Sequence, residues 1–234
     1  MKNKNNLETE LVKCIICNDI RYDLESNHLI SDVTFSVVKC ACGFVYLNPR
    51  PTENSMSIFY DDKYLPHNSS KYNFILRSLQ SLTFRWKKNI INRLFKKPKS
   101  MLDVGSGDGA FAAYMGKNGW EVNQYDKFSP KFNKENYSGK KYQLITMWHS
   151  LEHLHDIDSL VNDIYDLLTD ESYLLIAVPN YSSIDRKIFK DNWVALDVPR
   201  HLFHFTSITL EKYLLKNDIE IVSKKTMYQD TIFN

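Results

Sequence analysis

The sequence predicts an α/β fold on a doubly wound, mostly parallel sheet, with a smaller cysteine-bearing domain ahead of it. Three observations carry this reading. An apolar stretch, residues 100–104, runs into a turn with glycine at alternate positions (Gly105, Gly107, Gly109), and helical spacing begins directly after it over residues 110–115. A second strand candidate, residues 120–125, ends on Asp126, 17 residues after Gly109. Two more strands, 142–147 and 173–178, flank a segment, 157–168, whose apolar residues Ile157, Leu160, Val161, Ile164, Leu167 and Leu168 keep helical spacing. Strands alternating with helices in this way build a parallel sheet that binds ligands at its carboxyl edge.

Glycine at the end of the first strand lets the chain turn with positive φ and lets a ligand lie against bare peptide. An acid at the end of the second strand suits ribose hydroxyls. The spacing is G-x-G-x-G, with Asp103 two residues before the first glycine, and not the G-x-G-x-x-G of dinucleotide sites. The D-x-G-x-G-x-G stretch and its following acid resemble the class I S-adenosylmethionine-dependent methyltransferases. The resemblance implies a Rossmann-like domain that binds S-adenosylmethionine through Asp103, Gly105, Ser106, Gly107 and Gly109 under the methionine and ribose. It also implies Asp126 on the ribose hydroxyls, and Trp148 and His149 at the sheet edge.

The chain has 234 residues, 43% of them hydrophobic, enough for one full domain with a core and an appendage. A formal charge of +2 is close to balance, so bulk electrostatics do not imply nucleic acid or an anionic membrane as a partner. There is no apolar run of about 18 residues, and the polar start Met1–Asn6 lacks the core of a secretion signal. A cytoplasmic location and no membrane association are expected.

All four cysteines fall early, Cys14 and Cys17 as C-x-x-C and Cys40 and Cys42 as C-x-C. In a reducing compartment such pairs suggest a closed tetrahedral zinc site more than disulfides, although the second pair is one residue short of the usual knuckle. Between them, Val33, Phe35 and Val37 alternate as in strands. The expected domains are a zinc-ribbon-like knuckle over 1–52, a helical linker and cleft cover over 53–98, and the cofactor domain over 99–234. Residues 43–52, with Pro49, Arg50 and Pro51, read C-G-x-x-Y-x-N-P-R-P together with Cys42. That run resembles a broad family of bacterial methyltransferases with an N-terminal cysteine knuckle, many acting on sugars or other small molecules. Arg50 is read as meeting a substrate anion or pinning an interdomain joint.

Residues 69–97 keep a three-to-four apolar spacing through Phe74, Leu79, Trp86, Ile90 and Leu94, as in one long amphipathic helix or two. The opposite face, including Arg85, Lys87, Lys88 and Arg93, is basic and reads first as a solvated face. After Asp126 only residues 127–141 precede the next strand, with Ser129 and Pro130 starting a short helix. That is too little for a helix and a further strand, so the sheet is expected to be shortened there, and no adenine-binding acid is named.

The strand 142–147 delivers Trp148, His149, Ser150, Leu151, Glu152 and His153 to the carboxyl edge. L-E-H at this place resembles small-molecule methyltransferases. In ubiquinone-type O-methyltransferases a similar stretch binds a divalent cation, with His149 here standing where an acid would be, so His149, Glu152 and His153 form a candidate metal group beside the alternative of a plain helix start. The later stretch W-x-x-x-D-x-P-R-H-L-x-H-F, residues 193–205, is similar to one that family members carry beside the cofactor pocket. It holds Asp197, Arg200, His201 and His204. Methyl transfer to a hydroxyl needs a base, and histidine titrates near neutral pH. His201 is the first candidate and His149 the second, with Arg200 or Asp197 orienting the acceptor; the alternative is that these side chains bridge loop backbone. A helix capped by Thr206 or Ser207 through Leu215, a sixth strand over 219–223 and a marginal seventh over 227–233 complete the expectation.

Read together, these features point to a small-molecule methyltransferase using S-adenosylmethionine and structural zinc, with a sugar or other cell-envelope metabolite as the acceptor class. Two alternatives stay open. One is an RNA methyltransferase gripping its substrate through the knuckle and basic helix, against which stands the lack of an N-P-P-Y-type motif. The other is a non-catalytic, degenerate binding module, suggested by the shortened middle.

Overall fold

The computed structural model describes residues 7–60, 74–127, 137 and 139–227, with the backbone alone for 74–79. In chain order the strands and helices are β1 (Thr9–Glu10), β2 (Tyr22–Ile30), β3 (Val33–Cys40), β4 (Val45–Leu47), β5 (Arg50–Pro51), α1 (Phe74–Ile91), β6 (Ser100–Val104), α2 (Ala110–Lys117), β7 (Glu121–Tyr125), β8 (Tyr142–Trp148), α3 (Ile157–Leu167), β9 (Leu168–Ala177), α4 (Ile184–Phe189), β10 (Phe203–His204) and α5 (Ser207–Lys216). They fall into two compact units. Unit 1 takes residues 1–60, 152–158 and 178–234, and unit 2 takes 61–151 and 159–177. Among the described residues no helix is long and apolar enough to cross a membrane.

Unit 2 holds the parallel sheet, in the order β7-β6-β8-β9. β6 and β8 occupy its centre, and this explains their sequences: each buries all but one of its residues, so apolar side chains run on without alternation. Leu144, Ile145 and Met147 are wholly buried, each contributing about 1.5–3 kcal/mol of apolar burial. α2 buries Phe111, Ala112 and Met115. Phe84 of α1 meets Phe111 and Tyr114 with ring centroids at 5.5 and 5.6 Å. Val161, Ile164 and Leu167 are the buried stripe of α3.

Three sequence expectations change here. The fifth strand begins at Leu168, not 173, and α3 ends one residue early. Leu168 pairs with Tyr142 before a register shift, which keeps residues 168–172 extended. Residues 219–227 form no strand: Asp218 turns left-handed after α5, Ile219 gives its N–H to Leu214, and Val222 stays largely exposed, with no sheet partner to bury it among the described residues. No third strand stands between β7 and β8 among the described residues. The short helix expected from Ser129 and Pro130 and most of the marginal seventh strand fall outside those residues.

Unit 1 is built on an antiparallel sheet, β10-β4-β3-β2, and a small β1-β5 pair. β2 and β3 join through Ser31 and Asp32, both with positive φ, as a two-residue hairpin requires. The segment from Trp193 onward contributes a strand of its own, with Phe203 opposite Tyr46 and His204 opposite Val45. The sheet's core is aromatic. Phe44 stacks on Tyr46 at 5.8 Å and meets Phe203 and Phe205 at 5.9 and 5.3 Å. α5 starts in a reciprocal cap in which Thr206 Oγ1 accepts from the Thr209 N–H and Thr209 Oγ1 accepts from the Thr206 N–H. Its lysines brace the cysteine turns, Lys212 Nζ on the Cys42 carbonyl at 3.0 Å and Lys216 Nζ on the Ile15 carbonyl at 2.6 Å.

Candidate functional site

In unit 2 the glycine turn leaves β6 with Gly105, Gly107 and Gly109 at φ 74°, 57° and 80°. The first half of the turn is tied to the end of β7, while Gly109 bonds back to the Ser106 carbonyl. Gly105 and Ser106 donate to the Tyr125 carbonyl at 2.8 and 3.2 Å, and Gly107 donates to Asp126 Oδ2 at 2.8 Å. Asp108 Oδ1 accepts from the Ala110 N–H at the start of α2. Gly105 has a second constraint, because a Cβ there would run into the Ser150 side chain, with Oγ at 2.8 Å. Ser150 is held in place by donating to the Val104 carbonyl.

Asp103 is wholly buried and accepts from Thr146 Oγ1 at 2.7 Å, which ties β6 to β8 beneath the turn. Burial raises its carboxyl to about 6, against the opposing pull of the Thr146 bond and the Lys87 charge. Ser106 Oγ, Asp108 Oδ2, Gln124 Oε1 and Trp148 Nε1 are buried with no hydrogen-bond partner among the described residues. Such atoms suit a polar ligand that would supply their missing bonds. Lys87 of α1 places its ammonium 4.5 Å from the Trp148 ring centroid and 5.6 Å from that of Phe111. His149 follows Trp148 with φ 54°, an uncommon backbone state for a residue with a side chain, and its N–H bonds the Ala177 carbonyl.

Sequence reasoning named Asp103, Gly105, Ser106, Gly107, Gly109, Asp126, Trp148 and His149, and all lie on this turn or at adjoining strand ends. It missed Lys87, Asp108, Gln124, Thr146 and Ser150. A small residue just past a central strand was the available signal for Ser150, whereas Lys87 was hidden in a basic run.

In unit 1 the four cysteines converge, all within 4.8 Å, with Cys14 and Cys42 sulfurs 3.5 Å apart and Cys17 and Cys40 sulfurs 3.3 Å apart. A tetrahedron with zinc–sulfur bonds near 2.3 Å has edges of about 3.8 Å, so the set fits a zinc ion after small shifts of the sulfurs. Both turns carry knuckle-like bonds, Asn18 N–H to the Cys14 carbonyl and Gly43 N–H to the Cys40 carbonyl. The one-residue-short second pair does not prevent convergence. Arg50 bonds Glu10 Oε1 at 2.8 Å and the His155 carbonyl at 3.2 Å, so it fastens segments of unit 1.

The remaining candidates also lie in unit 1. Arg200 clamps the Asp197 carboxylate through Nε and Nη2, at 3.0 and 2.5 Å to Oδ1. Asp197 turns left-handed at φ 37°, and its carbonyl accepts from the Arg200 and His201 N–H groups. His201 Nδ1 lies 2.8 Å from the Ala195 carbonyl. Among the described residues, the metal-capable side chains that gather apart from the four cysteines are Glu152, His153 and His201, and His149 is not among them. Burial lowers His153 to about 4 and His204 to about 3, with His201 the next cause for both.

Residues 79–224 match a family model described as a methyltransferase domain. Among curated proteins none matches the chain. Solved structures include a SAM-dependent methyltransferase from Archaeoglobus fulgidus, at 20% identity and TM-score 0.48, covering 74% of this chain and 89% of that one. A plantazolicin methyltransferase in complex with SAH is similar at 20% identity and TM-score 0.45, covering 70% of each chain. The 1,6-didemethyltoxoflavin-N1-methyltransferase of Burkholderia thailandensis, with bound 1,6-didemethyltoxoflavin and S-adenosylhomocysteine, is similar at 16% identity and TM-score 0.49, covering 82% of this chain and 87% of that one.

Proposed function

The chain belongs to the methyltransferase-domain family; from that premise we propose that it uses S-adenosylmethionine to methylate a small molecule, of the sugar or cell-envelope metabolite class. We assign the cofactor to the glycine turn of unit 2 and a structural zinc to the four cysteines of unit 1. The observation that carries the cofactor assignment is the pinned turn, with the Gly107 N–H on Asp126 and the buried polar atoms of Ser106, Asp108, Gln124 and Trp148 beside it.

S-adenosylmethionine supplies an electrophilic methyl group on a sulfonium. The chain's residues supply position and charge. Gly105 and Gly107 give bare backbone, Asp126 offers its carboxylate to the ribose hydroxyls, and Asp103 acts from below by holding β6 against β8 through Thr146. For removal of the acceptor proton the sequence ranks His201 ahead of His149. We favour His149, which ends β8 in the unit that carries the glycine turn, in a backbone conformation of the kind found at functional sites. His201 Nδ1 faces a backbone carbonyl, and Arg200 and Asp197 are engaged with each other.

The small-molecule reading is supported by the near-balanced charge and by Trp148-His149-Ser150 in place of a base-gripping motif after β8. The basic face of α1, which suggested RNA, is thinner than its sequence implies. Lys87 sits on aromatic rings and Lys88 donates to Asn118 Oδ1 at 2.8 Å.

Calorimetric titration with S-adenosylhomocysteine tests the cofactor site without an acceptor. Micromolar binding by the wild type and none by a folded Gly105→Val variant is the expected result, since valine would combine left-handed backbone strain with overlap on Ser150. No binding by folded wild-type protein would overturn the assignment in favour of a non-catalytic module. Labelled methyl transfer would then be followed into nucleotide sugars and into RNA, and incorporation into RNA alone would overturn the small-molecule reading.

A further inference from the structure

Glu152, His153 and His201 gather in unit 1 with their ligand atoms within 4.8 Å of one another. Glu152 and His201 are buried and His153 is half-buried. The surroundings of the two rings favour a hydrogen on Nδ1. The Arg200 carbonyl, 3.1 Å from His153 Nδ1, can only accept, and the Tyr60 hydroxyl, 3.0 Å from the same nitrogen, can accept as well. The Ala195 carbonyl, 2.8 Å from His201 Nδ1, fixes that ring in the same way. A ring anchored through Nδ1–H turns Nε2 outward as the nitrogen available to a metal. An Nδ1–H anchored on a backbone carbonyl is the arrangement that orients metal-ligating histidines and makes the opposite nitrogen a better donor.

Two such rings and one carboxylate form a three-ligand set suited to a first-row divalent ion, with one or more coordination positions left over. Asp197 lies close by, with Oδ2 3.7 Å from His201 Nε2, and its charge is balanced by Arg200, which holds the same carboxylate. We propose that Glu152, His153 and His201 form a second metal site, distinct from the cysteine cluster, that binds a divalent first-row transition ion through one carboxylate oxygen and the two Nε2 atoms. The ion fastens the turn at 152–153 to the loop at 197–201. The site depends on neither the cofactor assignment nor the acceptor.

Cobalt(II) is the probe. Full-length protein stripped of metal and reloaded with cobalt is expected to hold two equivalents by mass spectrometry. One carries the intense thiolate-to-cobalt charge-transfer absorption of the cysteine cluster, and the other only weak visible bands. Glu152→Gln and His201→Gln are each expected to remove the second equivalent and leave the charge-transfer band unchanged. Cys14→Ser is expected to remove the band and leave the second equivalent. The wild-type stoichiometry decides the matter even where a variant fails to fold: cobalt bound only in the thiolate form overturns the proposal. So does a second equivalent that survives in both the Glu152 and the His201 variants. A single equivalent without the thiolate band supports this site and sinks the zinc assignment instead.

Discussion

Gly107 donates its backbone N–H to Oδ2 of Asp126 across 2.8 Å, and this bond joins the turn after β6 to the end of β7. Two of the residues that the sequence marks for the cofactor are thus already bonded to each other, so Asp126 both shapes the turn and offers charge to it. Hydrogen bonds to a charged group contribute about 1.5–3 kcal/mol. Asp126→Ala should weaken S-adenosylhomocysteine binding by about tenfold to a hundredfold in calorimetry, with little change in far-ultraviolet dichroism. Asp126→Asn, which keeps an acceptor, should lose less. Equal affinity in the alanine variant would remove Asp126 from the site.

Asp103 gives the free protein a pH dependence of stability with an unusual sign. Its carboxyl is raised from 3.8 to about 6 by burial, so between those values the folded chain binds more protons than the unfolded chain. The group's contribution is therefore fully present below about pH 4 and is lost as pH rises towards 6, opposite to the behaviour of a salt-bridged acid. Asp103→Asn keeps a carbonyl acceptor for Thr146 and removes the titration. The difference in melting temperature, variant minus wild type, should grow from pH 4 to pH 6 and level off above it. A difference that stays flat across this range would mean that Asp103 is not raised.

Much of unit 2 was legible because its signals are local. A central parallel strand buries both faces and reads as a continuous apolar run, as residues 142–147 do, and glycine at alternate positions marks a turn whatever surrounds it. Less was legible where distant pairing decides. Residues 219–223 have strand composition but no sheet partner among the described residues, and residues 168–172 are polar yet extended because Leu168 pairs with Tyr142. Phe203 and His204 belong to the sheet of β4 although more than 150 residues separate them from it. The histidine–carboxylate cluster was half legible: Glu152 and His153 are adjacent in sequence, but their third companion is His201 rather than the nearby His149.

The cysteine cluster predicts a chelator-sensitive unit 1. Lys212 and Lys216 of α5 bond the backbone at Cys42 and Ile15, so loosening of the knuckle removes the surface that α5 rests on. Cys14 is wholly buried, and serine at that position would bind zinc poorly. Cys14→Ser should lower the zinc content by one equivalent. If the loss is about 3 kcal/mol, the melting temperature of a chain this size falls by about 6–12 °C. Unchanged zinc content in the variant would show that the ion is held elsewhere.

Lys87 predicts how the cofactor site treats charge. Its ammonium lies over Trp148 and Phe111 and lowers the carboxyl of Asp103, so it is a fixed positive charge at the glycine turn. S-adenosylmethionine carries a sulfonium charge that S-adenosylhomocysteine lacks, while the two share every other group that the turn would hold. Repulsion from Lys87 therefore acts on one ligand and not on the other. At an effective dielectric near 20–40 a separation of several ångströms makes this about 1 kcal/mol after screening. Lys87→Met keeps the length and apolar stem of the side chain without the charge, and should tighten S-adenosylmethionine relative to S-adenosylhomocysteine by about threefold to tenfold. A ratio of dissociation constants identical to that of the wild type would place the sulfonium beyond the reach of Lys87, away from the Trp148 face.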